Sequence, residues 1–273
     1  MVGKFIDVEK IILDKNPKLY KRLPRFVINY LKKILLEDEI NRIIADNEGV
    51  TGIQFCKNVI KEFKIHVEII GVENAPKTGG VTFASNHPLG GIDALAFIDQ
   101  FSNYRTDIKF IANDILLNLD PMKDIFVGVN KHGNTATPSL KNLDAVLSND
   151  ESVVIFPSGF VSRKKNGVLK DLEWKKTFVT RARKHGVPIV PVHIQGELSP
   201  FFYRLSRFRE FIGIKANIEM LFLVNELFKQ KNTSIKIIFG KAIQPEILDK
   251  DVRKDVEWAA FIKEIAFNLK YKA

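Results

Sequence analysis

A histidine and an aspartate stand six positions apart in Ser85-Asn86-His87-Pro88-Leu89-Gly90-Gly91-Ile92-Asp93. Imidazole takes up protons near neutral pH, and a carboxylate on one ring nitrogen keeps that nitrogen protonated and the other free to accept. On an uninterrupted helix, residues six apart point to different sides. A turn through Leu89-Gly90-Gly91 would instead fold the chain back and bring Asp93 to His87, giving a general-base dyad. The same spacing suits an N-capping aspartate beside a structural histidine, and spacing alone leaves both readings standing.

The flanking residues say what would position the pair. Gly80-Val81-Thr82-Phe83-Ala84 has the composition of a strand, and Ile92 to Phe101 has helical apolar spacing. His87 therefore belongs to a loop at the carboxyl end of a strand, where chemistry gathers in sheet proteins. Two further strand ends carry unusual loops: Asn130-Lys131-His132-Gly133-Asn134 after the apolar Ile125 to Val129, and Pro157 to Lys165 after Ser152 to Phe156. At the carboxyl edge of a parallel sheet such loops converge. In the last of them Gly159 lets a ligand approach the backbone, and Ser158, Ser162 and Arg163 suit a phosphate or another anion.

The remaining pattern alternates strand and helix. Lys64 to Gly71 reads as an edge-like strand, Asp107 to Ala112 as a short one, Ile125 to Val129 as a buried one, and Pro138 to Leu147 as a helix. Asp171 is expected to begin a helix reaching His185. Val187 to Ile194 is a strand whose Pro188 and Pro191 suggest a sheet margin or a local irregularity. Ile218 to Lys229 is expected to be a helix and Thr233 to Phe239 a strand. A closing helix over Asp251 to Tyr271 would turn Val256, Ala259, Ala260, Ile262, Ile265 and Ala266 inward. The fold class is α/β, a mostly parallel central sheet flanked by helices, with a helical region over 1–62 and the main domain over 63–273.

A formal charge of +10 points to an anionic partner: nucleic acid, an anionic membrane surface or an acidic carrier. The one cysteine, Cys56, excludes an intrachain disulfide and fits a reducing compartment. Acidic and basic residues interrupt the N-terminus, so no signal peptide is expected, and no apolar run is long enough to span a bilayer. The five histidines, at 66, 87, 132, 185 and 193, lack ligand spacing, so no metal is expected. Residues 26–35 form a basic amphipathic helix that suits core packing, a membrane surface or both. Phe201 to Arg209 interleaves aromatic and basic residues, as nucleic-acid and lipid interfaces both do. The 21 phenylalanines suit a greasy substrate or a plain core equally.

Residues 86–93 resemble the histidine–aspartate block of the glycerolipid acyltransferases, in the Asn-His-Pro-x-Gly-Gly-x-Asp form of the haemolysin-like branch that acylates lyso-ornithine and lyso-glycine lipids. Phe156-Pro157-Ser158-Gly159-Phe160-Val161-Ser162-Arg163 resembles that family's Phe-Pro-x-Gly block. Val187 to Ile194 is similar to its proline-containing fourth block. Asp171, Trp174 and Phe202-Tyr203-Arg204 also fit the branch, and the order holds from about residue 41 to 245.

The resemblance implies acyl transfer from an acyl-carrier-protein or coenzyme A thioester to a lipid hydroxyl, with no other cofactor. His87 would be the base and Asp93 its orienter. Gly159 and its neighbours would bind or polarise the acceptor, and Arg163 would meet its anionic group. Two departures bear on the acceptor. Ser158 and Phe160 stand where relatives carry glutamate, and Lys131 stands in for the arginine of the second block without its bidentate fork. They favour an amino-acid lipid, lyso-ornithine or lyso-glycine, over 1-acylglycerol-3-phosphate as acceptor. A lipid-binding protein without turnover is the rival from another class, and a nucleic-acid partner is not expected. The expected location is cytoplasmic, peripheral on the inner face of the cytoplasmic membrane.

Overall fold

The computed structural model describes residues 5–112, 116–128, 137–165 and 167–271. Helices α1 (Val8–Lys15), α2 (Pro17–Arg22), α3 (Arg25–Ile34), α4 (Glu37–Asp46) and α5 (Gly52–Glu62) lead into β1 (His66–Ile70) and β2 (Val81–Ser85). Next come α6 (Gly91–Phe101), β3 (Ile108–Ala112), β4 (Phe126–Gly128), α7 (Thr137–Ser148) and β5 (Ser152–Ile155). A hairpin of β6 (Arg163–Lys165) and β7 (Val168–Lys170) precedes α8 (Thr177–His185) and β8 (Ile189–Gln195). The chain ends with α9 (Pro200–Phe211), α10 (Leu223–Phe228), β9 (Ser234–Phe239) and α11 (Asp255–Asn268).

Residue contacts divide the chain into two units, one of residues 1–50 with 198–231, the other of 51–197 with 232–273. The sequence reading sets a boundary at 62; in the structure α5 instead falls in the larger unit.

The larger unit is built on a seven-stranded sheet in the order β1-β9-β8-β2-β5-β3-β4, parallel throughout except where β8 meets β9. It is an α/β architecture, as the strand–helix alternation implies. β2 lies at its centre with all five residues buried, because parallel strands covered on both faces leave no polar side. On one face Phe83 meets Phe97 and Phe101 of α6 and Phe239 of β9 edge to face, with ring centroids 5.0 to 5.9 Å apart. On the other, Ala84, Val153 and Ile189 pack with Trp174, Phe178 and, from α11, Trp258 and Ile262. Many of the phenylalanines are thus core.

Several expectations change. β4 is the edge strand beside β3 and only half-buried, not the buried strand its apolar run suggests. β8 is interior, third from the β1 edge, so its prolines do not mark a margin. The irregularity is real, however. Val192 pairs with Phe239 and Ile189 with Ile243, so two residues on one strand face three on the other, and Pro191, which has no N–H to give, lies in that interruption. Asp171 starts no helix; α8 begins only at Thr177. α11 buries Trp258, Ala259, Ile262 and Ala266, while Val256 and Ala260 face solvent.

In the smaller unit α1 packs on α2 and α3, and α3 on α4, and the Glu37 carboxylate, itself buried, accepts the Val8 N–H at the start of α1 at 2.9 Å. Arg209 of α9 pairs with the buried Glu219 at 2.9 Å. Glu226 of α10 accepts the Ser199 N–H and hydroxyl at 2.6 and 2.7 Å, tying down the start of α9.

Candidate active site

β2 ends at Ser85, and the side chain of Asn86 staples it to β8. Its amide donates to the Ile194 carbonyl at 2.9 Å and its oxygen accepts the Ile194 N–H at 2.7 Å, wholly buried. The chain then turns through Gly90, whose φ of 71° and ψ of −135° exclude a side chain at little cost only for glycine. That turn starts α6 so that Asp93 falls in its first turn, where the helix dipole favours a carboxylate.

His87 Nδ1 lies 2.8 Å from Asp93 Oδ2, and the same oxygen accepts the Leu89 N–H at 3.0 Å. The dyad expected from spacing therefore forms, and Asp93 is not an N-cap, since Gly90 holds that place and Asp93 stands third in the helix. The His87 side chain is 19% exposed and that of Asp93 not at all. Burial pushes the Asp93 carboxyl up, while the His87 ring and the Leu89 amide favour its charged form. With Nδ1–H donating to the carboxylate, Nε2 is the nitrogen left to accept a proton. The ring stacks on Phe156 at 4.0 Å and 15°, which leaves it one plane to occupy. Phe156 is the first residue of the Phe-Pro-Ser-Gly run, but nothing in its type announced a partner for His87.

Of the other candidates, Gly159 is exposed, with φ of +69°, and its N–H closes a turn on the Phe156 carbonyl at 2.9 Å. A Cβ there would come no nearer than 3.6 Å to Lys175 Nζ, so its backbone can be approached. Ser158, Ser162 and Arg163 are buried. The Ser158 hydroxyl donates to the Phe160 carbonyl at 2.7 Å, the Ser162 hydroxyl to Asp171 Oδ1 at 2.5 Å, and Arg163 to the Val161 carbonyl at 3.0 Å. The structure thus gives these three internal partners and shapes the loop with them, because β6 and β7, too short to read from sequence, draw residues 163–170 into a hairpin. Lys131 lies outside the described residues. Among the described residues no three His, Cys, Asp or Glu side chains cluster as a metal site would require.

A partly exposed imidazole held by a buried carboxylate, at the sheet's carboxyl edge beside a backbone turn, can activate a hydroxyl for attack on a carbonyl. Comparison with known proteins agrees with that chemistry. A family model described as acyltransferase matches residues 10–272. A lyso-glycine lipid O-acyltransferase of Bacteroides thetaiotaomicron is 40% identical over 97% of this chain and 97% of its own length. One of the same description from Phocaeicola vulgatus is 38% identical over 97% and 95%. Among solved structures, the 1-acyl-sn-glycerophosphate acyltransferase PlsC of Thermotoga maritima aligns over 90% of this chain and 92% of its own, with a TM-score of 0.48 and 20% identity.

Proposed function

The chain belongs to the acyltransferase family, and on that premise we propose that it moves a fatty acyl group from a thioester to the hydroxyl of a lyso-glycine or kindred amino-acid lipid. The observation that carries the mechanism is the 2.8 Å contact between His87 Nδ1 and the buried Asp93. His87 Nε2 takes the proton of the acceptor hydroxyl as its oxygen attacks the thioester carbonyl. The C–S bond then breaks, and the thiolate leaves with the proton that His87 returns. No covalent enzyme intermediate is needed, because the base activates the acceptor directly. Asp93 holds the ring and balances the imidazolium formed midway.

The acceptor assignment rests on what the two bacterial relatives are described as acylating, on their near-complete alignment, and on the missing carboxylates at Ser158 and Phe160. The exposed Gly159 turn is the place for the acceptor or its oxyanion to meet backbone N–H groups. Arg163 and, from the sequence, Lys131 are the cations for an anionic headgroup, and Ser158 and Ser162 hold the loop that carries Arg163. An acyl-carrier protein or coenzyme A thioester is the donor, drawn by the +10 charge. The enzyme works from the cytoplasmic face of the membrane. No helix among the described residues is long and apolar enough to cross one.

The test is a mass-spectrometric transfer assay offering both thioester types against lyso-glycine, lyso-ornithine and 1-acylglycerol-3-phosphate acceptors, with His87→Ala alongside. Product on an amino-acid lipid that the variant fails to make is the expected result. Product on the glycerophosphate alone would overturn the acceptor and keep the mechanism. Undiminished product from the variant would overturn the mechanism.

A further inference from the structure

His87 is held at its main chain as well as at its ring, and a second buried carboxylate stands behind the main-chain contact. The Ser162 N–H donates to the His87 carbonyl at 2.7 Å, and the Ser162 hydroxyl donates to Asp171 Oδ1 at 2.5 Å. Trp174 Nε1 donates to Asp171 Oδ2 at 2.8 Å, so both carboxylate oxygens are engaged. Asp171 is 6% exposed, Trp174 2% and Ser162 not at all. Lys263 of α11 donates to the main-chain oxygens of Asp171 and Leu172, each at 2.8 Å, fixing the segment after β7 from the opposite side.

A buried carboxylate is costly unless its charge is used, and a purely structural tie between two loops would be made more cheaply by neutral groups. Burial pushes the Asp171 carboxyl up. Ser162 and Trp174 oppose that, and so do the ring and main-chain N–H of His87. Asp171 is thus near enough to sense the imidazole, and it also disfavours charge on Asp93. The two carboxylates flank one histidine, one bonded to its ring and the other reaching its main chain, at the N–H directly and at the carbonyl through Ser162.

We propose that Asp171 is a positioning residue for acyl transfer, which through Ser162 fixes the main chain of His87 while Asp93 fixes its ring. Its charge also supports the imidazolium formed midway through the reaction. Sequence alone hides the role, since Asp171 is 84 positions from His87 and reads as the start of a helix. The inference rests on His87 being the base.

Steady-state kinetics of Ser162→Ala and Asp171→Asn, with both substrates varied, test it. Ser162→Ala removes the hydroxyl link and keeps the Ser162 N–H on His87. It is expected to lower kcat about tenfold with KM within about twofold, leaving the acid limb of the kcat/KM profile in place. Asp171→Asn removes the charge as well, and kcat is expected to fall about tenfold to a hundredfold, with the acid limb moved to lower pH. Among the described residues Asp93 of α6 bonds the ring and Asp171 acts on it through space, while Lys263 of α11 lies against Asp171 in turn, so Lys263→Met serves as the control for indirect charge effects. Wild-type kcat in both variants, or loss of activity that only tracks a lowered Tm with an unmoved profile, overturns the proposal. If Asp171→Asn does not fold, Ser162→Ala decides alone by its split between kcat and KM. Full activity in His87→Ala would sink the dyad itself, a separate failure.

Discussion

At the residue scale the site depends on one short contact and the two features that make it permanent. His87 cannot swing, because Phe156 stacks on one face of the ring at 4.0 Å and Asp93 holds Nδ1. Asp93 cannot turn, because Leu89 N–H occupies the same oxygen. Replacing His87 by alanine therefore removes the proton acceptor with little effect on the fold, and kcat should fall at least about a thousandfold while the melting temperature moves little. Asp93→Asn leaves the shape but invites the wrong tautomer, since an amide N–H facing Nδ1 forces the proton onto Nε2. A loss of about 10² to 10⁴ in kcat with KM nearly unchanged is the expected result. Pre-steady-state turnover of purified variants would read both. An Asp93→Asn enzyme within tenfold of wild type would mean that the carboxylate only holds the Leu89 turn before α6.

At the element scale, what the sequence makes legible is what short-range pattern controls. The His87–Asp93 turn, β2, β5 and α6 all follow from apolar spacing and two glycines. The hairpin after Arg163 escapes notice because each strand is three residues long, below any periodicity. Asp171 is expected to open a helix, whereas its carboxylate is taken up by Ser162 and by Trp174 three residues on, and the helix begins only at Thr177. On α11 Ala259, Ile262 and Ala266 turn inward as expected, but Val256 and Ala260 face solvent and Trp258 reaches the core in their place. These are long-range choices. The element-level prediction concerns β8, whose place beside β2 is set by Asn86. Asn86→Ala leaves the Ile194 N–H and carbonyl buried without their partners, a cost of about 2 to 4 kcal/mol. Denaturant unfolding should show that loss, and activity should drop with it because His87 is the next residue. β8 also carries His193, which burial pushes down to about 4, helped by Lys270. A basic group whose folded value is depressed contributes stability above its unfolded value near 6.5. That contribution fades as pH falls towards about 4, when the unfolded chain binds a proton the folded one refuses. The expected acid loss from this residue is about 3 kcal/mol, and His193→Leu, facing Phe267 across 5.6 Å, should flatten the stability curve between those limits. An unchanged slope in the variant would assign the acid limb to other groups.

At the scale of the whole molecule, the charge and the exposed aromatics have to be explained together. In the smaller unit Phe26 and Tyr30 of α3 are 73% and 58% exposed, and Phe208 and Phe211 of α9 are 59% and 88% exposed. The amphipathic reading of residues 26–35 was only half a core prediction, since Ile28 and Ile34 take the buried side while these rings face water. Large rings left in water beside Arg25, Arg204 and Arg207 are costly for a protein that stays in solution. They suit one whose acceptor sits in a bilayer, where rings enter the head-group layer and guanidinium groups meet phosphate. The protein should therefore bind anionic vesicles more tightly than neutral ones and lose that preference as salt shortens the reach of charge to a few ångströms. Phe26→Asp and Phe211→Asp each remove about 2 kcal/mol of apolar transfer and add a repelled charge, so vesicle affinity should fall at least tenfold per change. Neither residue touches the dyad. Turnover on acceptor dispersed in neutral detergent should accordingly survive in both variants, while turnover on acceptor embedded in vesicles falls with binding. Vesicle affinity untouched by the double change, in protein that keeps its detergent activity, would place the membrane contact elsewhere on the basic surface.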